Sequence, residues 1–435
     1  MQFKSGIVYM INRFSLNSIQ NIYINGGKFS SDTLFLLSSQ ILVLFGGFGL
    51  TFFITQSLGI EKLGLFNEII SYYNVLVILF SFGLNNALVK KVSENMDNEK
   101  KITEYFSSCL IQTFLQSSLL SIILFLIIYS NKYLFSSEEL GNYFWLMLIA
   151  IPFYNLNKNF DSYYTGIRNQ KMVSINRAFR WLLMFLIIMI VCLSTKQFKI
   201  VVLSIFGTEF ILLFINLICQ FKNISFSLES IKKDELMKFG MATFPAEVIS
   251  ALMSNIDIIL LGYLLSKFDL GKYSFILFFS KTLLIFPGVV AQNLNPIISK
   301  LWFENKKEEL KHKFQKIFKI NLLISIVFLV VILCLYIVYI SVWNPQFFDT
   351  FYLFFISLIG MFIVSLISWL GGVFIMIGQN RINNYRTIIF SFISTIVILF
   401  LSSNLGLIGA CLSVLVNGII TAVMITGLLK KTLDK

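Results

Sequence analysis

Between Asp32 and Lys430 the chain repeats a single pattern: runs of about 18 or more apolar residues broken by short stretches of Lys, Asn, Gly and Ser. A helix of roughly 20 such residues crosses a bilayer, and in lipid every backbone N–H and C=O has to be satisfied within its own segment. The pattern therefore dictates an all-α, polytopic membrane protein. Composition closes the alternative, since 57% of the 435 residues are hydrophobic, 13% are charged and 47 are Phe, more apolar side chain than a water-soluble core of this length could bury. A soluble enzyme is excluded.

Cutting the runs at charged, Asn and Gly clusters gives twelve spans, centred near Leu44, Leu76, Ser118, Ala150, Phe185, Ile211, Ser250, Thr282, Val330, Met361, Ser394 and Leu415. Basic residues alternate along the connections. The N-terminus, segments 90–104, 158–180, 221–238, 300–319 and 381–386, and the C-terminus hold 28 Lys and Arg; the alternate connections hold 6, and Lys281 falls inside a span. By the positive-inside rule both termini are cytoplasmic, and the net charge of +13 belongs to a membrane face rather than to nucleic-acid binding. The expected organisation is a cytoplasmic lead-in 1–31, a six-helix lobe 32–221, a linker 222–238, a second six-helix lobe 239–430 and a tail 431–435. The lead-in lacks the compact apolar run and small-residue cleavage site of a signal peptide, and its Ile7, Met10, Ile11 and Phe14 suit a short interfacial helix. No connection holds a domain of even about 50 residues, so the helices themselves carry the function, which disfavours polymerases and glycosyltransferases built on a large catalytic loop. Five isolated Cys and a single His support neither a disulfide framework nor a metal site.

The chain also repeats itself. A shift of 207 residues lays Leu63-Gly64 on Leu270-Gly271, Phe66 on Tyr273 and Asn86 on Asn293, and a shift of 210 lays Lys171 on Arg381. Six spans per repeat is an even number, so both halves enter the membrane from the same side and are related by an axis along its normal, with a central cavity expected between them. Polar residues fall on matching faces: Asn67, Ser71, Asn74, Ser81 and Asn85 in the second span, and Ser274, Lys281, Gly288, Gln292, Asn295 and Ser299 in the eighth. In the seventh span Glu247, Ser250, Ser254 and Asp257 share a face. Single polar residues of this kind often glue helices together; three stripes predict a hydrated cavity lined by Asn74, Asn85, Gln292 and Asn295.

Lys281 lies about 15 Å from the outer end of its span, where a charge costs on the order of 3 kcal/mol. Two readings account for it: an ion pair with Asp257 or Glu247 on the preceding helix, or a cavity cation for an anionic substrate. Arg177 and Arg180, three residues apart at the start of the fifth span, form either a bidentate phosphate clamp or part of the positive-inside signal. Glu209, on one face with Asn216 and Gln220, is a candidate for ion coupling or a helix–helix hydrogen bond. Pro245, Pro287 and Pro296 predict kinks in the seventh and eighth spans, and the Lys300 to Lys319 segment reads as an amphipathic connector.

The stretches LGIEKLGLFNEIISYYNVLVILFSFGLNNALVKKVSE from Leu58 and FPAEVISALMSNIDIILLGYLLSKFDLGKYSFILFFSKTLLIFPGVVAQNLNPIISKLW from Phe244 resemble the Wzx-type polysaccharide flippases of the multidrug/oligosaccharidyl-lipid/polysaccharide exporter superfamily. Pro245, Asp257, Gly271 to Tyr273 and Pro296 carry the likeness. It implies two six-helix bundles around a cationic cavity in a bacterial cytoplasmic membrane. Its partners are then the lipid bilayer, an undecaprenyl-pyrophosphate-linked oligosaccharide moved to the outer leaflet by alternating access, and other glycan-assembly membrane proteins. No cofactor is implied beyond an ion gradient or membrane potential. Lipid-linked peptidoglycan precursor flippases of that superfamily carry an Arg cluster in the first two spans; here those spans have none. Two other functions stay open: an ion-coupled multidrug exporter and a membrane glycan polymerase or ligase.

Overall fold

The computed structural model describes residues 28–435 except 131–134, 222–223, 225–233, 286, 289–297, 300, 305, 344 and 434–435. Among the described residues the secondary structure is helical throughout, without strands. The first lobe comprises α1 (Lys28–Leu58), α2 (Ile60–Ser81), α3 (Leu84–Glu94), α4 (Glu99–Ser130), α5 (Glu138–Leu148), α6 (Ala150–Gly166), α7 (Gln170–Ser194) and α8 (Phe198–Gln220). The second comprises α9 (Asp234–Leu264), α10 (Lys267–Lys281), α11 (Lys307–Val342), α12 (Phe351–Ile367), α13 (Val373–Met376) and α14 (Asn380–Leu433). Each of the twelve span centres expected from sequence falls in one of these helices or, for Thr282, in the 3-10 turn that ends α10. Nine described stretches are long and apolar enough to cross a membrane unaided.

The remaining passes depart from straight rods for physical reasons. α14 has 54 residues, about 80 Å as one rod against a hydrocarbon core of roughly 30 Å, so it cannot be a single pass. It folds back at Gly406 (φ 57°, ψ −133°), a conformation open to glycine, and the return brings Gly409 against the Leu401 to Ser402 backbone. The fourth pass is two short helices, α5 and α6, separated by a turn at Ile149. α10 tightens into a 3-10 turn over Thr282–Leu284, just ahead of Pro287, whose missing N–H cannot bond the Leu283 carbonyl. Pro245 sits inside α9, and Pro296 lies outside the described residues, as does the interfacial helix expected near Ile7 to Phe14.

One expectation is corrected. The basic stretch from Lys307 is not a separate connector: α11 runs unbroken from Lys307 to Val342, its first turns anchored by buried Leu310 and Phe314. In addition, α9 begins at Asp234, ahead of the residue 239 at which the second lobe was expected to start.

Successive passes alternate between a basic end, which carries Lys90, Lys91, Lys171 and the start of α11, and a far end, which carries the α1–α2, α5, α9–α10 and α11–α12 connections. Along the back of the molecule α2 and α3 of the first lobe pack on α9 and α10 of the second. At the far end of this seam the repeated glycines meet. A Cβ at Gly64 would lie 2.7 Å from the Gly271 amide nitrogen and collide with the Lys267 carbonyl, while one at Gly271 would collide with the Ile60 carbonyl. Ile60 and Lys267 are themselves 207 residues apart, so equivalent residues make reciprocal contacts and the axis relating the lobes passes between the two glycines.

Candidate functional site

At the front, α1 meets the second lobe from Gly47 to Gln56. A Cβ at Gly47 would sit 2.9 Å from the Phe278 ring, so the absence of a side chain there lets the ring in. Toward the far end, Phe48 packs edge-on against Phe279 (5.8 Å) and Tyr339 (5.5 Å), Phe52 packs against Trp343 (5.8 Å), and Gln56 Nε2 donates to the Trp343 carbonyl (2.6 Å). These aromatic groups seal the far half between the lobes. Lys281 lies one turn beyond Phe278, on the basic side of the seal.

The Lys281 side chain is 41% exposed although it follows Lys267 by fourteen residues, about 21 Å of helix. Its Nζ stands 3.6 Å from Asp257 Oδ2 on α9, and Tyr273 donates its hydroxyl to the same oxygen at 3.5 Å. Asp257 Oδ1 is buried and unbonded. A contact of 3.6 Å is looser than a charge-assisted hydrogen bond, which closes to about 2.7–2.9 Å, so the ammonium keeps donors for another anion. One and two turns along α9 from Asp257, Ser254 and Ser250 are exposed; Ser254 returns its proton to the Ser250 carbonyl (2.9 Å) and leaves its lone pairs outward. The arrangement is an ammonium with hydroxyl and carboxylate neighbours at mid-membrane depth, suited to hold an anionic group.

The other expected site residues distribute differently. Asn74 bridges the lobes, donating to Asn255 Oδ1 (3.1 Å), and Asn85 is partly buried with its Oδ1 unbonded. Glu247 accepts from Asn86 across the seam and from Thr243 (3.3 Å), and so is not the partner of Lys281. Gln292 and Asn295 lie outside the described residues. Arg180 does not form a clamp with Arg177. Its guanidinium enters the first lobe, with Nε 3.0 Å from Glu209 and Nη1 3.8 Å from Asp161, and it covers the Tyr154 ring at 4.8 Å. Asn157 donates to Glu209 (2.8 Å) and Asn176 to Asp161 (3.0 Å), completing a buried network among α6, α7 and α8. Glu209 is thus charge-paired, and Arg177, partly exposed, has no ion-pair partner among the described residues.

The family model described as polysaccharide biosynthesis protein matches residues 29–302, more than half of the chain, including Lys281 and its neighbours Asp257, Tyr273, Ser254 and Ser250. The chain belongs to the polysaccharide biosynthesis protein family. No curated protein matches this family member. Solved structures share its fold. An inward-facing multidrug resistance MATE family transporter of the MOP superfamily aligns with a TM-score of 0.70 at 12% identity over 92% of this chain and 94% of that one. The lipid II flippase MurJ in an inward closed conformation gives 0.69 at 15% identity over 92% and 87%. A MOP superfamily transporter from Pyrococcus furiosus gives 0.58 at 12% over 93% and 95%. This polysaccharide biosynthesis protein family member therefore shares the two-lobed helical fold of these structures.

Two charged groups escaped the sequence reading. Lys267 Nζ, at the far end of α10, bonds Glu68 Oε2 on α2 at 2.5 Å, Ser136 Oγ at 2.8 Å and the Gly262 carbonyl at 3.1 Å, and Ser136 Oγ also donates to Glu68 Oε1 at 2.5 Å. Glu68 is completely buried, and this knot joins the two lobes beside the paired glycines. Each residue sits at a span end, where a charge normally signals topology. The other is Arg386, counted in sequence among connection charges but held inside α14.

Proposed function

We propose that this protein is a flippase that carries an undecaprenyl-pyrophosphate-linked oligosaccharide from the cytoplasmic to the outer leaflet of a bacterial cytoplasmic membrane, with the basic end and both termini in the cytoplasm. The observation that carries this reading is the half-exposed Lys281 at mid-depth beneath the aromatic seal. A pyrophosphate leaving water for a low-dielectric cavity needs a fixed cation in place of its lost hydration. Lys281 supplies one that is only loosely committed to Asp257, and Asp257 retains the Tyr273 hydroxyl when the ammonium turns to substrate. Family membership and the MOP architecture support transport of a glycan intermediate in preference to its polymerisation. The 28 to 6 imbalance of basic residues supports the orientation.

The test is a strain lacking the gene and complemented with variants. Loss of the protein should abolish surface glycan and trap lipid-linked repeat units on the cytoplasmic side. Lys281→Ala should do the same at normal protein level, and Lys281→Arg should restore part of the export, since the charge is kept and the donor geometry altered. Full export by Lys281→Ala, or its recovery when Asp257→Asn is added, removes Lys281 from the substrate site. Intact surface glycan with altered drug accumulation overturns the flippase reading in favour of a multidrug exporter.

A further inference from the structure

The second lobe contains its own cavity, of about 270 Å³, lined by Ser368, Arg386, Thr387, Phe390 and Thr421 among others and reaching Met253 on α9. It is smaller than the roughly 300–1,000 Å³ that takes drug-sized molecules. Among its described lining residues Arg386 supplies the only charge. One Nη2 hydrogen goes to Asn383 Oδ1 (2.9 Å), the guanidinium carbon lies 5.9 Å from the Phe374 ring, and Nε is buried without a partner. A guanidinium has five N–H donors, so most of this one is unused.

Comparison of the two lobes gives that vacancy a meaning. The 210-residue shift that superimposes Lys171 on Arg381 places Arg386 on Asn176, one turn from Arg180 on the same face of the fifth helix of its lobe. In the first lobe the guanidinium on that face is neutralised from within by Glu209 and Asp161. In the second lobe Arg386 has no ion-pair partner among the described residues: residues 351–433 contain neither Asp nor Glu, and Asp257, one turn from Met253 on α9, faces Lys281 and Tyr273 through its Oδ2. A half-buried cation without a carboxylate partner in its own lobe favours one supplied from outside.

We propose that this cavity is an anion site for a single phosphate group, bound by the free N–H donors of Arg386 with the Thr387 hydroxyl beside them. The group is either a free phosphate or pyrophosphate ion or the phosphate of a lipid headgroup. The Arg386 fork matches the bidentate geometry of phosphate oxygens, and the volume admits a headgroup phosphate but not an oligosaccharide. The site is separate from Lys281 and stands whether or not the flippase reading does.

The experiment uses the purified full-length protein in phosphatidylcholine nanodiscs, titrated in separate arms with inorganic phosphate, inorganic pyrophosphate and short-chain phosphatidylglycerol, with thermal stabilisation and calorimetry as readouts. Saturable binding is expected in at least one arm. Measured in a Lys281→Gln background, so that an anion at that ammonium does not register, it should weaken at least tenfold in Arg386→Gln and weaken less in Arg386→Lys. Binding of phosphatidylglycerol alone identifies a lipid headgroup; binding of the inorganic ions identifies the free anion. If Arg386→Gln does not fold, Thr421→Leu, which fills the cavity and keeps the charge, should abolish binding. No binding in any arm, or binding that survives both Arg386→Gln and Thr421→Leu, overturns the proposal.

Discussion

Replacing Lys267 by Met should loosen the far end of the protein. The ammonium is 18% exposed and Glu68 is fully buried, so the substitution strands a carboxylate between the lobes. Removing one member of a buried pair costs about 3–5 kcal/mol. Glu68 keeps the Ser136 hydroxyl at 2.5 Å, a charge-assisted bond that places the cost at the low end, about 3 kcal/mol. The pair joins α2 of one lobe to α10 of the other, so it contributes only while the far end is closed. At about 1.4 kcal/mol per factor of ten, the closed arrangement should lose roughly 100-fold in population. Adding Glu68→Gln removes the stranded charge and should recover most of that loss, because replacing both members of a buried pair is close to neutral. The assay is cross-linking of Cys introduced at Gln56 and Trp343, which are in contact at the far end, in a background without the five native cysteines. Cross-linking should fall in Lys267→Met and return in the double variant. Unchanged cross-linking in a folded Lys267→Met protein, or equal loss in single and double variants, refutes the reasoning.

Gly64→Val should block the approach of α2 to α10 and stop transport with the protein still in the membrane, as measured by surface glycan against immunodetected protein; Gly271→Val should do the same by reciprocity. Arg180→Met should lower the thermal stability of the purified protein by about 3–5 kcal/mol, since its partners are buried, and adding Glu209→Gln should restore most of it. Cys placed at Ser250, Ser254 or Lys281 should react with a membrane-impermeant thiol reagent, whereas Cys at Leu119 or Phe214, exposed on the outer faces of α4 and α8, should not; equal labelling of both sets would mean that no hydrated cavity adjoins α9. Reporters fused after Lys101 and Lys311 should read cytoplasmic and those after Lys132 and Lys196 extracytoplasmic, by alkaline phosphatase and fluorescent-protein activity.

The number and placement of the passes were legible because lipid leaves a backbone only one way to satisfy its polar groups, so hydropathy marks each helix directly. The repeat was legible as an alignment of Leu63-Gly64 with Leu270-Gly271, but not its consequence, that the two glycines touch. An internal shift gives equivalence, and only packing turns equivalence into contact. Pairings between spans were harder still. Lys281 had two carboxylates within reach on the preceding helix, and the choice of Asp257 depends on the rotation of α9, which places Glu247 against Asn86. Arg180 and Arg386 were counted with the positive-inside charges because both lie within about three turns of a basic connection. Helical periodicity gives the face on which such a residue lies; it does not say whether that face meets lipid headgroups or a lobe interior.

The partners of three embedded cations separate their roles. Arg180 is held by two carboxylates of its own lobe, so a rocking of the lobes leaves its environment intact and its contribution is to the stability of that lobe. Lys267 is held by a carboxylate of the opposite lobe, so the same motion strands both charges unless water reaches them, which makes the pair a barrier to opening at the far end. Lys281 has a single long contact within its own lobe and an exposed ammonium, so on the proposed function it exchanges Asp257 for a substrate anion without a rearrangement of the whole protein. Substrate then acts on the equilibrium through differential affinity: an anion at Lys281 moves the lobes only if it binds more tightly when the far end is open. The Lys267 pair sets the size of that difference. A contribution of about 3 kcal/mol to the closed state requires the substrate to favour the open state by roughly 100-fold before the two are equally populated. Under the proposed function the empty protein therefore rests closed at the far end, and the membrane is spared an open passage in the absence of cargo.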